Sequence, residues 1–273
     1  MTLIDTQSDS YIAEISDKLL EARKTSTGLP DFPGELPTTL EAAYKIQDRS
    51  ISKIDDKIVG WKIGGITPDL QEKLNAVRLC GPIFEKMVKY TDGSERLLMP
   101  VFKDGYSAYE VEYVMELGDT SHLPATGITE EQIRSVIKRV FIGFEMASSP
   151  IQDVNNVGSM AVICDFGINE GCIIGPEVKD WKNVDLFDVD VSITIDGKLF
   201  GPVKPNSGFV GAYGAVKFLI EHMKAQGKEL PEGTMASTGA ITGVHDENVG
   251  VGSKAEVTFA GLGGFSMELV SNG

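Results

Sequence analysis

Two glutamates stand one residue apart in Tyr109-Glu110-Val111-Glu112-Tyr113-Val114-Met115-Glu116. The segment alternates, so Tyr109, Val111, Tyr113 and Met115 share one face of a strand while Glu110, Glu112 and Glu116 share the other. Side chains at i and i+2 are about 6–7 Å apart along a strand, close enough to converge on one cation. Like charges held together otherwise repel, so the pair is either a cation site or an acidic face turned to water. Glu145 is a third carboxylate, set in the apolar run Phe141-Ile142-Gly143-Phe144-Glu145-Met146-Ala147, which reads as buried strand. A charge there needs a salt-bridge partner, a metal or an acid–base role, because an unpaired buried charge costs several kcal/mol. Three such carboxylates would form a hard, oxygen-only site suited to Mg²⁺ or Mn²⁺ rather than zinc.

Lys62 is the matching cation, in Gly60-Trp61-Lys62-Ile63-Gly64-Gly65. The glycines allow backbone or ligand to approach closely. The lysine could hold a substrate carboxylate, act as a base with its pKa depressed by burial, or snorkel at a strand edge. Asp165 follows Ala161-Val162-Ile163-Cys164 as a turn residue or a site residue, and Ser237-Thr238-Gly239 offers hydroxyls beside a glycine. His122, His222 and His245 have no metal-ligand spacing, no G-x-S-x-G elbow occurs, and Gly261-x-Gly263-Gly264 has no helix after it.

These residues must be positioned by the surrounding elements. Ser8 or Asp9 caps a predicted helix with the stripe Ile12, Ile15, Leu19 and Ala22. Thr38-x-x-Glu41 reads as a capping box for a second helix, Thr67-Pro68 starts a short third, and Thr129-x-x-Gln132 caps a fourth. That fourth helix carries Ile133, Val136, Ile137 and Val140 at helical spacing, with Ile128 placed to staple against Ile133. Val189 to Ile195 alternates into Asp196-Gly197, a hairpin signal, and a further helix spans Gly214 to Lys224. Two alternating strands, Ala255-Val257-Phe259 and Phe265-Met267-Leu269, close the chain. Strands outnumber helices after Ile58 without repeated βαβ spacing. The expectation is one α+β domain over residues 1–273, with a helical portion at 1–57 and a β-rich catalytic core at 58–273.

The 273 residues are 42% hydrophobic and 24% charged, ordinary for a globular protein. Forty acidic against 25 basic residues give a net charge of −15, which repels nucleic acid and is compatible with recruiting a divalent cation. No signal-peptide pattern and no run of about 18 apolar residues occurs. Cys80, Cys164 and Cys172 are an odd number without C-x-x-C spacing, consistent with buried thiols in a reduced cytoplasmic protein that meets neither membrane nor nucleic acid.

In order along the chain, Gly60-Trp61-Lys62-Ile63-Gly64, Gly81-Pro82-Ile83-Phe84, Glu110-Val111-Glu112, Phe144-Glu145, Ser237-Thr238-Gly239-Ala240-Ile241-Thr242-Gly243 and Gly261-Leu262-Gly263 resemble the 2-keto-4-pentenoate hydratases. With the 2-oxo-3-hexenedioate decarboxylases, these belong to the fumarylacetoacetate hydrolase fold superfamily. The similarity runs from about Leu40 to Leu269. It implies a mixed β-sandwich or roll, a divalent metal (Mg²⁺ or Mn²⁺) on Glu110, Glu112 and Glu145, a catalytic Lys62, and a homo-oligomer. Thr238 and Asp165 match positions near the substrate. Where many hydratases have an aspartate that assists proton transfer, this chain has Glu85, to which the same work is assigned. After Asp165 the family tends to have Asn and small residues, whereas this chain has Phe166-Gly167-Ile168.

The function this resemblance implies is a metal-dependent hydro-lyase of aromatic-compound catabolism, adding water to a 2-hydroxy-2,4-dienoate to give a 4-hydroxy-2-oxo acid. The alternatives are decarboxylation of a 2-oxo-3-hexenedioate (4-oxalocrotonate) and hydrolysis of an acylpyruvate such as fumarylpyruvate. An inactive partner subunit with the same fold is the non-enzymatic alternative, and intact Lys62 and glutamates argue against it.

Overall fold

A computed structural model describes residues 5–273. Among the described residues seven α-helices run in order: α1 Asp9–Lys24, α2 Leu40–Ile51, α3 Pro68–Leu74, α4 Glu130–Val136, α5 Val154–Val157, α6 Ser159–Cys164 and α7 Ala212–Ala225. The strands are β1 Ile58–Gly65, β2 Arg78–Phe84, β3 Val88–Tyr90, β4 Arg96–Val101, β5 Tyr106–Leu117, β6 Ile137–Ser149, β7 Asn169–Glu177, β8 Val191–Ile195, β9 Lys198–Val203, β10 Met235–Ser237, β11 Lys254–Phe259 and β12 Gly263–Ser271. This is the expected α+β architecture with helices leading a β-rich body.

Ser8 caps α1 through its side chain, and Ile12, Ile15, Leu19 and Ala22 are buried along it. The second helix is capped by Thr39 rather than Thr38: the Thr39 hydroxyl accepts from the Ala42 amide, one residue later than expected. Thr129 and Gln132 form the reciprocal capping box ahead of α4. That helix ends at Val136, so Ile137 and Val140 belong to β6 instead. Helical and strand spacings coincide over these few apolar residues, and pairing along the full length of β5 decides for strand. Asp196 and Gly197 both take positive φ and turn β8 into β9, as a two-residue hairpin requires.

The strands form two mixed sheets. One has the order β2-β1-β10-β5-β6-β7-β3 and the other β4-β12-β11-β8-β9. In the larger sheet β2 touches β7 although four strands lie between them, so the sheet rolls up on itself. The long antiparallel pair β5–β6 lies in the middle and is buried almost throughout. A continuous apolar cluster links α1, α2 and α6 to both sheets through residues such as Ile15, Ile46, Ile163, Val111 and Val257. Cys80, Cys164 and Cys172 are buried free thiols. No helix among the described residues is long and apolar enough to cross a membrane.

Candidate metal centre

Strand register assembles the three glutamates. Glu110 on β5 lies directly opposite Glu145 on β6, and Glu112 lies opposite Gly143. Residues opposite each other in an antiparallel pair project to the same face, so all three carboxylates point one way. Each offers an oxygen within 4.8 Å of the others, and all three residues are buried.

Their surroundings satisfy only part of this charge. Glu112 Oε2 accepts from the Ser237 hydroxyl and from the Gly239 amide at 2.9 Å. Glu145 Oε1 accepts from Asn169 Nδ2 at 3.0 Å, and its Oε2 lies 2.9 Å from Lys62 Nζ at an angle outside hydrogen-bond geometry. Glu112 Oε1 is buried with no partner. Burial, then the charges of Glu145 and Glu110, push the Glu112 pKa well above the usual carboxylate range. Burial likewise raises Glu145 to about 7 despite Lys62. Carboxylates that oppose one another's ionisation, with one oxygen facing no donor, suit a divalent cation of oxygen preference.

Lys62 comes from β1, whose register pairs it with Ser237 on β10 and Gly81 on β2. Its Nζ donates to the Gly167 carbonyl at 3.0 Å. Burial alone would lower its pKa, as expected for a base. The charges of Glu145, Glu110 and Glu112 outweigh burial and raise it instead, favouring the ammonium form. Lys62, Glu110 and Thr238 line a cavity of about 370 Å³, which also takes in Arg78, Asn155, Ile168 and Val210. Glu112 and Glu145 lie behind that wall, wholly buried. The Thr238 hydroxyl donates to the Tyr113 carbonyl at 2.9 Å.

Two expected site residues are placed elsewhere. Asp165 is buried but outside the cavity lining, holding Arg23 through Nε at 2.5 Å and Nη2 at 3.0 Å and accepting from Ser149. In this structure its carboxylate is engaged by the Arg23 guanidinium and the Ser149 hydroxyl. Glu85 is exposed at the start of the turn Glu85–Met87, also outside the lining. The chain leaves β2 after Phe84 and turns outward. Glu116, on the face of the other acids, pairs with Arg139 at 3.2 Å. Asn169 and Arg23 gave no signal in the sequence, since one opens an unremarkable strand and the other sits on an ordinary amphipathic helix.

No protein-family model matches this sequence, and no curated protein sequence matches it. Solved structures do. The 4-oxalocrotonate decarboxylase from Pseudomonas putida G7, in complex with magnesium and adipate, superposes with a TM-score of 0.75 at 20% identity, over 98% of this chain and 99% of that one. The fold is that of the fumarylacetoacetate hydrolases. Fumarylpyruvate hydrolase from Pseudomonas aeruginosa, in complex with Mn²⁺ and pyruvate, shares this fold with a TM-score of 0.53 and 18% identity, covering 81% of this chain and 94% of its own. The 2-hydroxyhepta-2,4-diene-1,7-dioate isomerase from Mycobacterium marinum does so with 0.52 and 16%, covering 80% and 77%. The first of these neighbours matches the fumarylacetoacetate hydrolase fold of this chain from the N-terminal helices onward, whereas the others cover about four fifths of it.

Proposed function

We propose that this chain is a divalent-metal-dependent lyase acting on a small 2-oxo or 2-hydroxydienoic acid. The observation that carries the reading is the convergence of Glu110, Glu112 and Glu145 beside Lys62, with Glu110 and Lys62 lining one cavity. The three carboxylates would hold Mg²⁺ or Mn²⁺, with the unpartnered Glu112 Oε1 among the ligand oxygens. When bound, the ion supplies Lewis acidity toward negative charge developing at the substrate's 2-oxygen.

The protein's own groups do the rest. Lys62, fixed between the Gly167 carbonyl and Glu145, carries the proton that converts a dienol to an α,β-unsaturated 2-oxo acid. Ser237 and the Gly239 amide hold Glu112, and Asn169 holds Glu145, so the ligand oxygens are oriented in advance. Water then adds to the carbon remote from the carboxylate, giving a 4-hydroxy-2-oxo acid. Such a hydration fits aromatic-compound catabolism in the cytoplasm, by a homo-oligomer.

A second reading, loss of CO₂ from a 2-oxo-3-enedioate, uses the same enolate. It is favoured by the likeness to the oxalocrotonate decarboxylase, which extends over both full chains. The deciding experiment incubates the protein with Mg²⁺ and 2-hydroxypenta-2,4-dienoate or 2-oxohex-3-enedioate. Loss of dienoate absorbance with formation of the 4-hydroxy-2-oxo acid assigns the hydratase, and CO₂ release assigns the decarboxylase. Pyruvate released from an acylpyruvate would instead assign a hydrolase. No turnover of any of these would overturn the proposal.

A further inference from the structure

Part of the cavity wall is a strap of chain that follows β5 past the end of β10. The Thr238 amide donates to the Tyr113 carbonyl at 3.2 Å, and the Ile241 amide to the Val111 carbonyl at 2.7 Å. Tyr109 and His245 then exchange both backbone hydrogen bonds, at 2.9 and 3.2 Å. At its start the strap also holds a proposed metal ligand, since the Gly239 amide donates to Glu112 Oε2 at 2.9 Å. Between Ile241 and His245 the strap has more residues than β5 has between Val111 and Tyr109. The excess bows outward, leaving Gly243 and Val244 exposed. Gly239, Ala240, Ile241, Gly243 and Val244 all line the cavity.

Tyr106 lies on β5 four residues before Glu110, and so on the face that carries the glutamates. Its side chain is buried, and its hydroxyl serves two partners from separate parts of the chain. It donates to Asp246 Oδ2 at 3.2 Å, where the strap ends, and accepts from Asn155 Nδ2 at 2.6 Å. Asn155 belongs to α5 and lines the same cavity. Burial, then the charges of Asp246 and Glu110, push the Tyr106 pKa up, so the phenol keeps its proton and donates it to Asp246. Asp246 and Asn155 are themselves exposed, and water would take either one if the hydroxyl were absent. One buried hydroxyl on the central strand therefore joins the strap to α5.

We propose that Tyr106 is a positioning residue for this site: its hydroxyl latches the strap to α5 and so fixes the walls against which the substrate chain lies. It touches neither the glutamate oxygens nor Lys62, and acts through Asn155 and Asp246. A wall held in advance binds without the ordering cost that a loose strap would add. The effect on substrate rests on the proposed binding of 2-oxo acids at Glu110, Glu112 and Glu145, whereas the latch itself does not.

The test compares wild type with Tyr106→Phe, Asp246→Ala and Asp246→Asn, the last of which retains an acceptor for the phenol. Hydrogen exchange of the 239–246 segment should quicken about two- to tenfold in Tyr106→Phe and Asp246→Ala, the scale of one hydrogen bond, and stay near wild type in Asp246→Asn. Calorimetry on the Mg²⁺-loaded proteins should show 2-oxohexanoate bound more weakly by a similar factor in the first two variants. Oxalate, which is too short to lie along the walls, should bind all four proteins alike. The double variant Tyr106→Phe/Asp246→Ala should lose no more than Tyr106→Phe alone, because the two residues share one bond. Unchanged exchange in Asp246→Ala overturns the latch even if Tyr106→Phe fails to fold, since Asp246 is exposed. Faster exchange with unchanged 2-oxohexanoate affinity, or an equal loss for both acids, overturns the positioning role and leaves the proposed function standing. If wild type binds neither acid in the presence of Mg²⁺, the proposed function fails, and the exchange comparison alone decides the latch.

Discussion

Lys62 Nζ donates to the Gly167 carbonyl at 3.0 Å, which ties the candidate metal centre to a turn that the N-terminal helix holds through Arg23. Phe166, Gly167 and Ile168 all have positive φ, at 57°, 65° and 59°. Such a conformation is unfavourable for Phe and more so for a β-branched Ile, and persists only where its surroundings impose it. Arg23 from α1 does so. It pairs with Asp165, donates to the Asp165 carbonyl at 3.1 Å, and lies over the Phe166 ring at 5.2 Å. It also reaches Glu170 at 2.7 Å, clamping both ends of the segment that presents the Gly167 carbonyl and Asn169.

Removing Arg23 should destabilise the fold strongly. Arg23→Met leaves Asp165 and Glu170 buried without their cation, a loss of about 3–5 kcal/mol by analogy with broken buried ion pairs. The urea midpoint should fall accordingly. If Arg23→Met were as stable as wild type, the clamp would have no energetic role.

Gly81 is the second support of the turn. A Cβ there would lie 2.0 Å from the Phe166 carbonyl oxygen, which is backbone and cannot swing aside. Gly81→Ala should therefore cost about 2–4 kcal/mol and displace the Gly167 carbonyl. Thermal unfolding measures the first effect and reduced turnover the second. An unchanged Tm would mean that β2 and the turn can separate freely.

Metal binding should depend on each glutamate while catalysis additionally depends on the lysine. Glu110→Ala and Glu112→Gln should abolish Mg²⁺ binding measured by calorimetry. Lys62→Met should lower kcat by about 10²–10⁴-fold, the range for loss of a positioned proton carrier, with Mg²⁺ still bound. Mg²⁺ titrating identically into Glu112→Gln and wild type would remove the metal assignment.

Stability should fall on mild acidification because of His222. Its ring lies against Tyr44 and Phe218, at centroid distances of 4.6 and 5.2 Å. Burial, then the nearby Lys228 charge, lower its pKa to about 4 against the opposing influence of Asp48. An unfolded histidine titrates near about 6.5. As pH falls from that value toward 4, the unfolded chain takes up a proton that the folded chain refuses, so stability is full above the upper value and lost below it. The loss is at most about 3 kcal/mol, and nearer about 1–2 after screening at this partly exposed ring. His222→Gln should flatten this part of the curve, read as the difference in urea midpoint between pH 7 and pH 4.5. Parallel curves for the two proteins would refute the assignment.

Much of this molecule is local, and local features are legible in sequence. Alternation in Tyr109–Glu116 specifies a strand with its acids on one face, and Thr129 with Gln132 specifies a helix start. Asp196-Gly197 specifies a hairpin because those residues tolerate the required φ. The apolar run around Glu145 signals a charge that needs a partner, without naming it. Register between strands distant in sequence decided the rest: Glu145 opposite Glu110, Ser237 beside Lys62, and the rolled sheet that brings them to one cavity. The same long-range packing gave Asp165 to Arg23, 142 positions away, and turned Glu85 outward. The sequence by itself determined which residues could carry charge into the interior. Only the tertiary structure decided which of those charges meet, because pairing depends on distances set by the whole sheet rather than by neighbours along the chain.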